Sequence, residues 1–141
     1  MYKRQIVDGK IQSFPWGVWK EEFISATNIG LSIMEWTLDQ YMLYKNPLMI
    51  SSGQRKIIET CKEYRFSIPS LTGDCFMQAP FWKAEGGFRE KLQSDFIAIC
   101  NACSKVGIKI IVIPLVDNGS LENIEQENIL VNFLNEQETM L

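Results

Sequence analysis

The amino-acid sequence predicts an α/β fold with a parallel sheet, because one pattern occurs three times along the chain. Each time, an amphipathic helical stretch is followed by a short turn, an apolar strand and an aspartate. The strand and its aspartate are found at Gly30–Asp39, Arg65–Asp74 and Gly107–Asp117. Helices that alternate with strands in this order are typical of parallel sheets. Ligands in such folds bind beyond the carboxyl ends of the strands, so the three aspartates mark the predicted functional edge.

The first copy of the pattern follows an irregular entry segment at residues 1–18, which contains an Asp-Gly turn signal at residues 8–9. A helix is predicted over Trp19–Asn28, with charged residues in its first turn. Gly30 stands where a helix C-cap is expected, and the strand Leu31–Trp36 follows it.

The second copy begins with an Asn-Pro loop, which leads into a predicted helix over Gln54–Tyr64 and a strand at Phe66–Leu71. An aromatic segment follows at Cys75–Phe88, and it contains a proline and a Gly-Gly pair. We predict that this segment is a long loop. Its large apolar side chains are expected to cover something, because they are rare in structureless loops otherwise.

The third copy has a predicted helix over Arg89–Lys105 that stops at Gly107. The strand Ile108–Leu115 is nearly all apolar, which suits a parallel strand covered on both faces. A last helix is predicted over Leu121–Glu138. The chain is therefore expected to contain about three parallel strands and four helices. The strand spacing fits both a (β/α)8 barrel and a flavodoxin-like open sheet.

Length and composition indicate one globular domain over residues 1–141, since 46% of the residues are hydrophobic and 22% are charged. No apolar run reaches the roughly 18–20 residues of a membrane span, and no signal peptide is recognised, so we expect a cytoplasmic protein without a membrane partner. The net charge of −3 and the dispersed basic residues argue against a nucleic-acid partner. No glycine-rich phosphate-binding motif follows any strand.

The chain has four cysteines, and Cys100 and Cys103 have the C-x-x-C spacing of a redox dithiol or half a zinc site. Both thiols fall on the apolar face of the predicted third helix. The sequence contains no histidine and no second C-x-x-C pair to complete a zinc site. We therefore expect all four cysteines to be buried and reduced.

Five motifs carry a family resemblance, in the order IQSFPWGVWKEEF, IMEWTLD, NPL, SLTGDCFMQAPF and IVIPLVDNGS. Together they resemble the N-terminal half of the sugar-phosphate isomerase/epimerase family, within the xylose-isomerase-like TIM barrels. The resemblance extends from about Gly9 to Leu121. It implies a partial (β/α)8 TIM barrel, in which the first strand and the C-terminal half are absent. Met34, Ile110, Val112 and Ile113 would then belong to the barrel core.

The resemblance also implies a function. Family members hold a divalent metal, Mn, Mg or Zn, at the C-terminal mouth, and they move a proton next to a carbonyl of a sugar or sugar phosphate. The metal polarises the carbonyl and stabilises the enediolate. Because the family's metal set includes a histidine and this chain has none, we expect no metal bound by this chain alone. No catalytic residue is assigned, and the isolated chain is expected to be inactive as an isomerase.

Glu35 is the first candidate for substrate binding, because strand alternation places it on the face opposite Met34 and Trp36. A carboxylate pointing into a barrel is costly without a purpose, so we interpret Glu35 as an acceptor for substrate hydroxyls. The alternative is an ionic or hydrogen-bonding partner at the end of a strand.

The aspartates that follow the strands form the second group of candidates. Asp74 and Asp117 are predicted to contact the sugar, and Asp39 occupies the corresponding position after the first strand. Their ordinary role would be in turns or helix caps. Gln78 and Asn118 are further possible partners for substrate hydroxyls.

Trp16 and the aromatic residues of Cys75–Trp82 are predicted to form walls of the sugar site or a lid over it. The alternatives are a small core beneath the loops or a surface that meets a second subunit.

Two other functions remain open from the sequence. One is a non-catalytic half-barrel that binds or assembles with a partner through unpaired strand edges, including a possible homo-oligomer. The other is a metal-dependent nuclease, since related barrels cleave DNA. The acidic charge and the absence of histidine argue against the nuclease.

Overall fold

The computed structural model describes residues 13–138. The predicted turn at residues 8–9 lies outside the described residues. Within residues 13–138 the chain forms five α-helices and three β-strands. In chain order these are α1 (Trp19–Asn28), β1 (Ile33–Thr37), α2 (Ser51–Tyr64), β2 (Ser67–Thr72), α3 (Asp74–Gln78), α4 (Gly86–Val106), β3 (Ile110–Val112) and α5 (Ile124–Glu136). Single 3₁₀ turns lie at Leu43–Lys45, Pro47–Met49, Phe81–Lys83 and Asp117–Gly119.

The three strands form one parallel sheet in the order β1-β2-β3. Trp36 is the register partner of Leu71, which in turn pairs with Ile111. Crossovers between parallel strands are right-handed, so this sequential order puts the connecting helices on one face of the sheet. Along that face α1 packs against α2, and α2 packs against α4. The predicted α/β fold with a parallel sheet is therefore confirmed.

The other face of the sheet is open in the part of the chain that the structure describes. Trp36 and Leu71 are buried on the helix side, whereas Ile33 and Ile110 are 60% and 58% exposed. Val112 is exposed as well. Within the described residues the third strand is therefore covered on one face, where the sequence predicted cover on both. Ile110 and Val112, which the sequence assigned to the barrel core, lie on the uncovered face. Described helices cover only one face, and every second side chain points away from them.

The ends of the helices explain where the chain turns into each strand. Gly107 follows α4 with a φ of 87°, and its amide donates to the Ser104 carbonyl, as the predicted C-cap requires. Arg65 follows α2 with a φ of 52°, so a residue other than glycine takes the left-handed conformation there. At the start of α5, Asn123 Oδ1 accepts from the Gln126 amide at 3.0 Å.

The aromatic segment Cys75–Phe88 is not the long loop that the sequence predicted. Its residues form α3, a 3₁₀ turn and the first turn of α4. The predicted number of four helices was therefore one too low. Phe76, Phe81 and Trp82 are buried, and burial of these rings outweighs the local proline and glycine signals.

A cluster of rings joins this segment to the last helix. The ring centroids of Phe81 and Phe133 are 4.7 Å apart, and those of Phe96 and Phe133 are 5.4 Å apart. Both pairs are edge-to-face, the arrangement that the aromatic quadrupole favours. The cluster holds α4 and α5 together around Phe81, which is the residue that begins the 3₁₀ turn after α3.

The cysteines are unpaired, and three of them are buried as predicted: Cys75, Cys100 and Cys103. The prediction for the fourth was wrong, since Cys61 is only partly buried. Burial raises the pKa of Cys100 to about 11 and that of Cys103 to about 12. These thiols are therefore protonated at neutral pH, in keeping with an inert structural role.

No helix within residues 13–138 has the length and apolar character needed to cross a membrane.

Candidate functional site

The carboxyl ends of the three strands lie side by side, and we call this side of the sheet the carboxyl edge. Thr37 at the end of β1 pairs with Thr72 at the end of β2, and Thr72 pairs with Val112 at the end of β3. The loops that follow the strands therefore meet at one edge, as a parallel sheet requires. These loops carry the aspartates, Gln78 and Asn118.

Asp39 is the buried centre of a hydrogen-bond network that ties three segments together. Its Oδ2 accepts from the Phe14 amide at 2.8 Å, and its Oδ1 accepts from Gln78 Nε2 at 3.0 Å. Gln78 Oε1 in turn accepts from the Gln40 amide at 2.8 Å. Each Asp39 oxygen and each end of the Gln78 amide therefore has a partner, so the two side chains hold the entry segment, the β1 loop and α3 in place.

Asn118 extends this network to the loop after β3. Its Nδ2 lies 3.2 Å from the Met77 carbonyl and 3.2 Å from the Gln78 carbonyl, to which it donates. Carbonyls at the end of a helix lack partners within the helix, so Asn118 stabilises the end of α3. The structure therefore brings Asp39, Gln78 and Asn118 together.

The two other aspartates have different surroundings. Asp74 is buried at the first residue of α3, where a carboxylate is favoured by the helix dipole. Asp117 is exposed and has a φ of 49°, a conformation that Asp tolerates better than most residues. The three aspartates thus share a place after a strand, but only Asp117 has an exposed side chain.

Glu35 lies on the open face of the sheet with two hydroxyl groups against its carboxylate. Ser70 Oγ donates to Glu35 Oε2 at 2.7 Å, and Thr72 Oγ1 donates to Glu35 Oε1. Glu35 and Ser70 are register partners, so the contact runs directly across from β1 to β2. Glu35 is exposed and Trp36 is buried, as the predicted alternation requires.

Thr37 completes a patch that we call the Glu35 cluster, made of Glu35, Thr37, Ser70 and Thr72. Thr37 is two residues beyond Glu35 and directly opposite Thr72, so its side chain projects from the same face of the sheet. Its Oγ1 is buried and has no hydrogen-bond partner within the described part of the chain. An unsatisfied buried hydroxyl is unusual in native proteins and calls for an explanation.

The aromatic residues predicted as walls of the site take part in packing. Trp16 is half-buried and lies edge-on to Phe14, with ring centroids 5.1 Å apart. Phe14 in turn packs on Trp36. Phe81 and Trp82 are almost fully buried, which favours the alternative of a small core beneath the loops.

The loop after β1 is anchored to α4 through a tyrosine. Tyr44 donates from its hydroxyl to Asp95 Oδ1 at 2.5 Å, and Lys91 donates to Asp95 Oδ2 at 2.8 Å. The hydrogen bond to Asp95, together with burial and the nearby carboxylate charge, raises the pKa of Tyr44 to about 12. This contact fixes one side of the carboxyl edge to the helical layer.

The divalent metal that the family resemblance implies stays an expectation for the complete barrel. No group of three or more His, Cys, Asp or Glu side chains within residues 13–138 is arranged to hold a metal ion. The oxygens of Glu35 and Asp39 already accept hydrogen bonds from neighbouring groups. We therefore derive no chemical step through a metal from these residues.

Sequence reasoning identified Glu35 but missed Thr37, Ser70 and Thr72. A signal for them exists in the strand SIPSLT, where Ser70 and Thr72 alternate with apolar residues. Such alternation places both hydroxyls on one face, although their distance from Glu35 depends on the register between the strands.

Protein-family models and curated protein sequences were compared with this chain, and neither comparison produced a match.

Proposed function

We propose that this chain is part of a (β/α)8 barrel of the sugar isomerase/epimerase type and that it binds a sugar or sugar phosphate at the carboxyl edge. The observation that carries the proposal is the sequential β1-β2-β3 order of parallel strands, with the helices of residues 13–138 on one face of the sheet. In a barrel each strand lies next to its predecessor and the helices lie outside. A flavodoxin-like sheet has an interleaved strand order and helices on both faces.

The polar groups on the open face support the same proposal. The inner face of a barrel is apolar except near the carboxyl ends of the strands, where active sites are built. Here the open face carries the apolar residues Ile33, Ile110 and Val112, and Glu35 with its two hydroxyls lies at the level of Ile110, two residues before the end of β1. In this proposal the Glu35 cluster contacts the sugar, and the Asp39–Gln78–Asn118 network keeps the loops around it in position.

The proposal assigns sugar binding to the described residues and leaves metal-dependent proton transfer to the complete barrel. When bound, the metal would supply Lewis-acid polarisation of the carbonyl. We therefore expect the purified chain to bind a sugar without interconverting ketoses, and measurable epimerisation of any ketose by the purified chain would contradict that expectation.

An NMR titration tests the binding. The ¹⁵N-labelled chain of 141 residues is titrated with D-fructose and, separately, with D-fructose 6-phosphate. We expect either ligand to shift amide signals at the ends of β1 and β2 and in the loops at residues 38–40, 73–78 and 117–118, while signals of α2 stay in place. If neither ligand shifts these signals up to its solubility limit, the proposed function is wrong.

A second candidate function, a half-barrel that assembles with a partner, is favoured by the exposed apolar residues Ile33, Ile110 and Val112 on the open face. Within the described residues β1 and β3 each have one edge without a strand partner, and unpaired edges promote association. Sedimentation over a range of concentrations tests this alternative. A defined dimer would support it, and a monomer throughout would remove self-assembly.

A further inference from the structure

A cavity of about 700 Å³ lies between α4, β3 and α5, and none of the candidate site residues lines it. The position of α5 explains the space. The ring of Phe133 packs on those of Phe81 and Phe96, and α5 packs more on the turn at Phe81–Lys83 than on β3. The outer edge of β3 also has no strand partner within residues 13–138. The sheet and the last helix are therefore separated by an open cavity.

The walls of this cavity are apolar and accessible. Ile111 of β3, Ile113 just after it and Leu134 of α5 line the cavity, and all three side chains are only partly buried. Cys100 and Cys103 line the side of α4, and because burial raises the pKa of both thiols, they are uncharged at neutral pH. A cavity of this volume with apolar walls and few polar groups is typical of small-molecule sites.

Lys109 is the one charged residue among the described residues that line the cavity. Its amide donates to the Pro69 carbonyl at 3.0 Å, which fixes its backbone, and its side chain is exposed. Within residues 13–138 no carboxylate forms an ion pair with Lys109. Lys109 and Ile113 are four residues apart, about 13 Å along an extended chain. The cavity therefore has a cationic end and an apolar wall that continues beyond it.

We propose that this cavity binds a free fatty acid, with the alkyl chain against Ile111, Ile113 and Leu134 and the carboxylate beside the Lys109 ammonium. Burial of the alkyl chain removes apolar surface of both ligand and protein from water. The charge of Lys109 selects the head group, because it attracts a carboxylate and repels a cation. The proposal uses no residue of the carboxyl edge, so it is independent of the proposed sugar binding.

The experiment is an NMR titration of the ¹⁵N-labelled chain with decanoate, 1-decanol, decyltrimethylammonium and butyrate, each below its micelle-forming concentration. We expect decanoate to shift the amide signals of residues 103–113 and of Leu134, and to leave those of β1 in place. Butyrate should give no saturable shift, because each buried methylene strengthens binding by about fourfold. Decanoate should bind about threefold more tightly than 1-decanol, as an exposed ion pair provides.

The same titration defines the results that would overturn the proposal. Equal or tighter binding of 1-decanol or decyltrimethylammonium would show that Lys109 does not select an anion. Absence of saturable shifts with decanoate would show that the cavity does not take an alkyl chain. Sedimentation of the free chain adds one further outcome. A dimer that decanoate leaves intact, with unchanged signals from residues 103–113, would assign the cavity to a second copy and overturn the proposal.

A charge variant tests the head-group contact. Lys109→Met keeps an apolar stem and removes the ammonium, so we expect decanoate to bind about threefold more weakly while binding of 1-decanol is unchanged. Lys56→Met is the matched control, since it removes an exposed charge from α2, outside the lining of the cavity. The control should change neither affinity. If Lys109→Met still prefers decanoate over 1-decanol as the parent does, the assigned ion pair is wrong.

A blocking variant tests the place of the alkyl chain. Ser104 lines the cavity from α4 and is exposed, so the ring of Ser104→Trp can occupy the cavity without entering the core. We expect decanoate and 1-decanol both to bind at least about tenfold more weakly, because several methylenes lose their place. Ser94→Trp, exposed on the same helix outside the cavity lining, should bind both ligands as the parent does. Thermal unfolding checks that both variants are folded, and parental affinity in a folded Ser104→Trp would contradict the proposal.

Discussion

At the scale of single residues, Gly53 marks a close approach between α2 and the turn that precedes it. A Cβ built on Gly53 would lie 2.2 Å from the Pro47 carbonyl oxygen, which is backbone and cannot move aside as a side chain can. We expect Gly53→Ala to lower the free energy of unfolding by about 1–3 kcal/mol, because the added methyl overpacks a fixed site. Urea denaturation measures the change.

The control for this substitution is Gly17→Ala. No atom lies within 4 Å of a Cβ built on Gly17. We expect Gly17→Ala to leave stability within about 1 kcal/mol of the parent. Equal losses for the two variants would show that the close approach at Pro47 is not the cause.

Residue-level prediction from the sequence succeeded where it used strand alternation and failed where it needed distances between strands. Alternation correctly put Glu35 on the face opposite Trp36. It could not pair Glu35 with Ser70 and Thr72, because the register shifts between Ile33 and Glu35 and such a shift leaves no local sequence signal.

At the scale of elements, the Asp39–Gln78 pair connects the loop after β1 to α3. In Asp39→Asn, one carboxylate oxygen becomes an amide that meets the Phe14 amide or Gln78 Nε2, both of which are donors. One buried donor then loses its acceptor. We expect the free energy of unfolding to fall by about 2 kcal/mol, as for other unsatisfied buried groups.

Asp117→Asn is the matched control, since Asp117 is exposed and asparagine tolerates a left-handed conformation. The control should change stability by less than about 0.5 kcal/mol. Chemical denaturation of both variants, with amide hydrogen exchange in α3 as a second measurement, checks the prediction. Unchanged protection of α3 in Asp39→Asn would contradict the proposed link.

The elements differ in how well the sequence predicted them, for a physical reason. The end of α4 was predicted because Gly107 is a local signal that needs no tertiary contact. The short helix α3 was not predicted, because its five residues, Asp74–Gln78, are too few to show a helical repeat of apolar residues. It forms where Phe76 is buried and where Asn118, 40 residues after Gln78, donates hydrogen bonds to the carbonyls of Met77 and Gln78.

At the scale of the whole molecule, acidic groups whose pKa values are raised in the folded chain make stability depend on alkaline pH. Folding raises the pKa from 9.0 to about 11 for Cys100 and to about 12 for Cys103, and from 10.0 to about 12 for Tyr44. At a pH between the ordinary pKa of each group and its raised pKa, the unfolded chain loses a proton that the folded chain keeps. The free energy of unfolding therefore falls as pH rises from about 9 towards about 12, and this contribution is fully present below about pH 9.

Urea unfolding at a series of pH values from neutral to about pH 11 measures this dependence. The double variant Cys100→Ala and Cys103→Ala should show a shallower decline than the parent, because two of the groups with raised pKa values are gone. A parent whose stability stays constant across this range would contradict the prediction.

Because the described helices pack against one face of the sheet, truncation of a side chain to alanine should lower the free energy of unfolding more on that face than on the open face. Leu71 is fully buried against the helices, whereas Ile110, on the neighbouring strand, is largely exposed on the open face. We expect Leu71→Ala to lower the free energy of unfolding by about 2–5 kcal/mol through the lost contacts and the cavity left behind. Ile110→Ala should change it by less than about 1 kcal/mol, because few contacts are lost. Denaturation at low protein concentration measures both variants. A comparable loss for Ile110→Ala would mean that the open face is covered in solution, and if that loss grows with protein concentration, the cover is a second copy of the chain.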